Sequence, residues 1–137
     1  METVFSYSLK NECFDNISDI EVYDSGTVKC TYEDSETTYQ ISDSVIKEIY
    51  GIINRFPELM QMYDIFDIFY PYALDGFSNR FIFSNGEKSN IIIATNLGYF
   101  KDNDSVENKT ANILIQVFEE ITGLLAENGI DSKYLSL

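Results

Sequence analysis

The chain has 137 residues, with ten tyrosines, ten phenylalanines and neither tryptophan nor histidine. Its formal net charge is −14, which makes nucleic acid and anionic membrane surfaces poor direct partners, because both repel a polyanion. Without histidine the commonest general base and metal ligand is missing, and no run approaches the ~20 apolar residues of a membrane-spanning helix, so no membrane insertion is expected.

The length predicts one α+β domain, residues 1–137, with room for a core that needs no staples. The start, Met1-Glu2-Thr3-Val4-Phe5-Ser6-Tyr7, is acidic and alternating, unlike a cationic leader, so a cytoplasmic location is expected. Cys13 and Cys30 have sixteen residues between them, a spacing that matches no metal or redox motif. They read as small, partly buried hydrophobes of a reducing compartment, with a disulfide as the alternative. No metal and no cofactor are expected.

Thr3 to Leu9 sets Phe5, Tyr7 and Leu9 against Val4, Ser6 and Ser8, which predicts a first strand with an aromatic face. Ile17 to Tyr23 alternates likewise, with Ile20 and Val22 opposite Asp19, Glu21 and Tyr23. Asp24-Ser25-Gly26 is a turn; Thr27 to Tyr32 then groups Val28, Cys30 and Tyr32. The polar Glu33-Asp34-Ser35-Glu36 turns the chain into Thr37–Ile41. Short polar turns between alternating runs describe an antiparallel meander with one apolar face.

At Ser42-Asp43-Ser44 the period changes: Val45, Ile49, Ile52, Ile53 and Phe56 share a helical face behind a serine or aspartate N-cap. Pro57 ends this helix or opens another, and Leu59, Met62, Tyr63 and Phe66 fit one face of a further turn or two. Ile65 to Tyr72 is aromatic and broken by Pro71, with Tyr70-Pro71 a candidate cis bond. It reads either as a lid on the core or as an exposed patch beside Asp64, Asp67 and Asp75.

Leu74 to Phe100 is a hairpin region: a turn at Asp75-Gly76, then two apolar runs around Asn85-Gly86. A two-residue turn there mismatches apolar partners, so a three-residue or bulged loop is expected, with Gly86 at positive φ, Phe81 opposite Ile91 and Asn79 opposite Ile93. The run Ile91-Ile92-Ile93 predicts burial on both faces. Lys101-Asp102-Asn103-Asp104 lacks the glycine and glutamate of a calcium loop and reads as a turn. Ser105 is the expected cap of a long helix ending near Asn128, with Gly129 as its left-handed cap. Its stripe of Ile113, Leu114, Val117, Phe118, Ile121, Leu124 and Leu125 must lie on the sheet, with Gly123 allowing close approach, and the tail is expected to dock through Tyr134 and Leu135. The expected architecture is an antiparallel sheet of five or six strands with the long C-terminal helix and the middle helix packed on it.

Gly26-x-Val28, the Tyr39-x-Ile41-Ser42-Asp43 entry into Glu48-Ile49-x-x-Ile52, and Leu74-Asp75-Gly76 before Phe81-x-Phe83-x-x-Gly86 together resemble small bacterial α+β domains with a hairpin–helix–hairpin–helix layout. The resemblance spans most of residues 17–125 and rests on turns and core positions, so it implies a fold and no activity. Size and charge alone are also similar to those of small acidic immunity or inhibitor proteins.

The carboxylate pairs Asp64/Asp67 and Glu119/Glu120 read as solvated helix faces, and no nucleophile elbow or phosphate loop occurs. The expected class is therefore a non-catalytic binding module, immunity-like or inhibitory, for a partner with a basic surface. The alternative is an accessory or structural domain of a bacterial envelope or secreted protein. Residues 1–75 carry a net −11 against −3 for the remainder, although an acidic surface also serves solubility alone. The expected contact surface joins the N-terminal sheet to the aromatic crossing. Its anchors are Tyr23, Phe69, Tyr70 and Tyr72, and its steering charges Asp19, Glu21, Glu33, Asp34, Glu36, Asp64 and Asp67.

Overall fold

A computed structural model describes residues 2–11, 16–64, 77–95, 97–98 and 109–137. Six strands form one antiparallel sheet: β1 (Thr3–Asn11), β2 (Asn16–Tyr23), β3 (Thr27–Tyr32), β4 (Ser35–Gln40), β5 (Phe77–Ser84) and β6 (Ser89–Thr95). Their order is β4-β3-β2-β1-β5-β6, so β1 is central and β4 and β6 are the edges. Helix α1 (Asp43–Asn54) follows the meander and helix α2 (Lys109–Glu127) follows the second hairpin. This is the expected α+β fold.

Alternation sorts each strand onto the two faces. One face gathers Phe5, Tyr7, Ile20, Val22, Val28, Cys30, Phe81, Phe83 and Ile92, all fully buried. The helices cover it. Phe118 of α2 meets the Tyr7 ring at 4.7 Å and the Phe81 ring at 5.9 Å, which seats α2 over β1 and β5. Ser42 caps α1 by accepting from the Val45 amide, and Val45, Ile46, Ile49 and Ile53 form its buried stripe. Ile52 and Phe56, assigned to that stripe from the sequence, are only half-buried. At the far end of α2 the Ile130 amide donates to Leu125 O and the Gly129 amide to Ala126 O, with Gly129 at φ +93. This is a Schellman cap, closed by the buried Ile130. Tyr134 then docks as expected: it is buried, donates to Thr37 Oγ1 at 3.1 Å, and lies edge-on to Tyr32 and Tyr39.

The core also holds a polar pair. Asn79, fully buried on β5, donates to Tyr7 Oη at 2.9 Å and accepts from the Leu97 amide at 3.1 Å. Burial pushes the Tyr7 hydroxyl well above its ordinary pKa, with the Asn79 bond a smaller, opposing influence.

Several expectations need correction. The second hairpin has a four-residue connection, Asn85–Lys88, and pairs Phe81 with Ile92 and Asn79 with Ala94. The cause is the Asn85 side chain, whose Oδ1 accepts from the Glu87 and Lys88 amides and so lengthens the turn. Gly86 does take positive φ, at +94°. The one-residue difference in register swaps faces: Ile92 is core, whereas Ile91 is 51% exposed on an edge strand, so the isoleucine run is not buried on both faces. Among the described residues after α1 the chain makes one 3₁₀ turn, Pro57–Met60, and Tyr63 is 89% exposed rather than on a packed helical face; Phe66, at the end of the expected turns, lies outside the described residues. Gly123 does not face the sheet: five residues beyond Phe118, it sits about 140° around the helix and is exposed. The readings for Gly76, Tyr70-Pro71, Lys101–Asp104 and the Ser105 cap lie outside the described residues.

Candidate partner-binding face

The positions on the opposite sheet face form rows across the strands; on β1 that face is covered, with Val4 and Ser6 buried, whereas on β2–β4 it is half-buried to exposed. One row runs Thr38, Lys29, Glu21, Ser6, Ile82, Ile91; the next runs Glu36, Thr31, Asp19, Ser8, Arg80, Ile93. On the β2–β4 half, Asp19, Glu21 and Glu36 therefore project from one surface as the alternation requires. Glu33 and Asp34 stand exposed at the β3–β4 turn beside them. Glu33 has φ +54 and donates its amide to Ile17 O, so a non-glycine residue holds the left-handed position of this turn. Lys29 is the single cation on β2, β3 and β4.

Tyr23 ends β2 on the same side, half-exposed. Its hydroxyl donates to Glu21 Oε2, and the Lys29 ammonium sits 5.7 Å from its ring centre. The bond to Glu21, then burial and the nearby negative charge, raise the Tyr23 pKa. The ring is thus held by an acid on one side and a cation on the other. Lys29 was not singled out from the sequence; its place between Glu21 and Thr38 across the strands is visible only once β2, β3 and β4 are paired.

Asp64 does not join this group. Its Oδ1 accepts from the Ile93 amide at 2.9 Å, which places it outside β6. Five strand spacings of ~4.8 Å separate β4 from β6, so Asp64 lies more than about 24 Å from β4. There it closes part of an open edge, the backbone role of a short acid next to an unpaired strand. Asp67, Phe69, Tyr70 and Tyr72 lie outside the described residues. The structure therefore brings Asp19, Glu21, Tyr23, Glu33, Asp34 and Glu36 together and leaves Asp64 apart.

Cys30 is a free thiol, fully buried, and burial pushes its pKa up to about 12. That suppresses the thiolate and fits the reading of a small hydrophobe; Cys13 lies outside the described residues. Among the described residues no three acids or cysteines converge to hold a metal ion, and no helix is long and apolar enough to cross a membrane. No protein-family model matches the chain, and no curated protein matches it.

Proposed function

We propose that the chain is a non-catalytic, acidic protein-binding module, immunity-like or inhibitory, that engages a partner with a basic surface through the outer β2–β4 face. The observation that supports this reading is the shared surface of Asp19, Glu21 and Glu36, extended by Glu33 and Asp34 and opposed on those strands by Lys29 alone. Such a surface draws a cationic partner by long-range attraction, which raises the rate of encounter. Tyr23 supplies the amphipathic anchor, an apolar ring that a partner side chain can cover while its hydroxyl stays bonded to Glu21. A cytoplasmic, bacterial setting belongs to the same proposal, as does the exclusion of nucleic acid as a direct partner.

Affinity capture from the native cell, repeated at low and high salt, tests the reading. Raising the salt from 0.1 M to 1 M shortens the electrostatic range from about 10 Å to about 3 Å. A basic protein retained at low salt and released at high salt is the expected result. Recovery of only acidic or nucleic-acid partners would count against it.

A further inference from the structure

The two helices carry matching stripes at the margin of the core, whose apolar members Ile52 and Leu124 pack against it while staying half-exposed. On α1 and its C-cap, Glu48, Gly51, Ile52 and Arg55 fall at i, i+3, i+4 and i+7; on α2, Glu120, Gly123, Leu124 and Glu127 repeat that spacing. Both stripes, with Glu119, line one open groove of about 580 Å³. Arg55 spans it to pair with Glu120, and among the described residues no other cation lines it. Ile52 and Leu124 are half-buried and give it an apolar surface.

The two glycines are the informative feature. Each is exposed inside a helix, neither takes positive φ, and a Cβ at either would meet nothing within 4 Å. Glycine weakens a helix interior relative to alanine, so here it is a liability that neither backbone geometry nor packing in this fold explains. What the two positions share is the groove, where the missing Cβ atoms allow another backbone to come close.

We propose that this groove docks an amphipathic α-helix of a partner protein, with leucine-type residues on one face and lysine or arginine on the flanks. The apolar face would sit between Ile52 and Leu124 against the glycines, in the helix-in-groove manner. The basic flanks would meet Glu48 and Glu127, which border the groove on either helix, with Glu120 already paired to Arg55. Charge complementarity selects this occupant over a second copy of the chain, because the copy carries −14 and buries the apolar stripes of its own helices. The groove lies on the helical layer, away from the outer sheet face, and the proposal stands whether or not that face binds.

The test uses the full chain and a synthetic peptide of about 18 residues, five helical turns, with leucines at i, i+3, i+4 and i+7 and lysines elsewhere. A scrambled peptide of the same composition controls for charge. The designed peptide is expected to bind about tenfold or more tightly than the scramble by fluorescence anisotropy, a gap that charge alone does not produce. Gly51→Leu/Gly123→Leu should abolish that preference while its melting temperature holds or rises, since filling the groove also strengthens the helices. Gly51→Ala/Gly123→Ala gives the same comparison with smaller side chains and a smaller loss of binding in the same direction. Asp19→Asn/Glu21→Gln/Glu36→Gln weakens the general attraction for both cationic peptides and should keep the parent's preference for the designed peptide over the scramble. Equal binding of both peptides, a leucine variant that still prefers the designed peptide, or a preference lost only in the sheet-face variant would overturn the proposal.

Discussion

Alanine at four glycines should produce three different outcomes, each set by a distinct feature of the backbone. Gly26 has φ +87, and its Cβ would lie 2.3 Å from Ile41 O and 2.6 Å from Gln40 Nε2. The glutamine can swing away, but the carbonyl belongs to the junction between β4 and α1, where the Ile41 amide also donates to Gly26 O at 2.9 Å. Gly26→Ala therefore incurs a left-handed penalty of ~1 kcal/mol and the loss or distortion of a backbone hydrogen bond worth ~1 kcal/mol, with displacement of the buried Ile41 in addition. A total near ~3 kcal/mol is a large part of an ordinary folding free energy of ~5–15 kcal/mol. Gly86 has φ +94, but its nearest neighbour is the Tyr50 ring at 3.8 Å, so only the conformational penalty of ~1 kcal/mol applies. At Gly51 and Gly123 neither effect operates, and alanine should stabilise by ~0.5–1 kcal/mol. Urea titrations followed by circular dichroism measure all four. With a slope of ~1–3 kcal/mol per molar, Gly26→Ala should lower the midpoint by roughly 1 M or more, Gly86→Ala by less, and the helix variants should raise it. Equal losses at Gly26 and Gly86, or a loss at Gly51, would refute the backbone account.

Phe118→Ala, which empties the space between α2 and the Tyr7 and Phe81 rings, should cost ~3–5 kcal/mol and lower the melting temperature by about 10 °C or more; a variant that melts like the parent would remove α2 from the core. Asn79→Ala leaves the Leu97 amide without its side-chain acceptor and Tyr7 Oη without its donor inside the core, for a loss of ~1–3 kcal/mol in the same urea assay. Stability should also fall in alkali. The buried Cys30 thiol and Tyr7 hydroxyl both stay neutral to higher pH in the folded chain than in the unfolded one. Their contribution is therefore complete below pH 9, the ordinary value for Cys30, and is lost as pH rises towards about 12. The urea midpoint measured from pH 7 to 11 should drop above 9, and Cys30→Val should flatten the first part of the drop.

The meander was legible because alternation reports burial directly: odd and even positions of β2 and β3 separate Ile20, Val22, Val28 and Cys30 from Asp19, Glu21 and Lys29 without knowledge of any partner. The change of period at Ser42 exposed α1 in the same way. The second hairpin was not legible to the residue, because its loop length depends on where the Asn85 carboxamide finds its donors. Three adjacent isoleucines fit either face, so the pattern offered no check on the register. The candidate face was legible in part. That Asp19, Glu21 and Tyr23 share a side follows from local sequence, whereas the separation of Asp64 follows from strand order, with β1 and β5 inserted between β2 and β6. The groove between the helices left a sequence signal in its repeated Glu-x-x-Gly-aliphatic spacing. It gains meaning only when α1 and α2 lie side by side.

The central claim is that the acidic β2–β4 face selects a basic partner, and comparative capture tests it most directly. The parent and Asp19→Asn/Glu21→Gln/Glu36→Gln serve as matched baits at low salt, after circular dichroism shows equal folding, and retained proteins are quantified by mass spectrometry. All three side chains are at least partly exposed, so the substitutions leave the core intact. The account predicts a basic protein that the parent retains and the variant loses. The same protein held equally by both baits would contradict it.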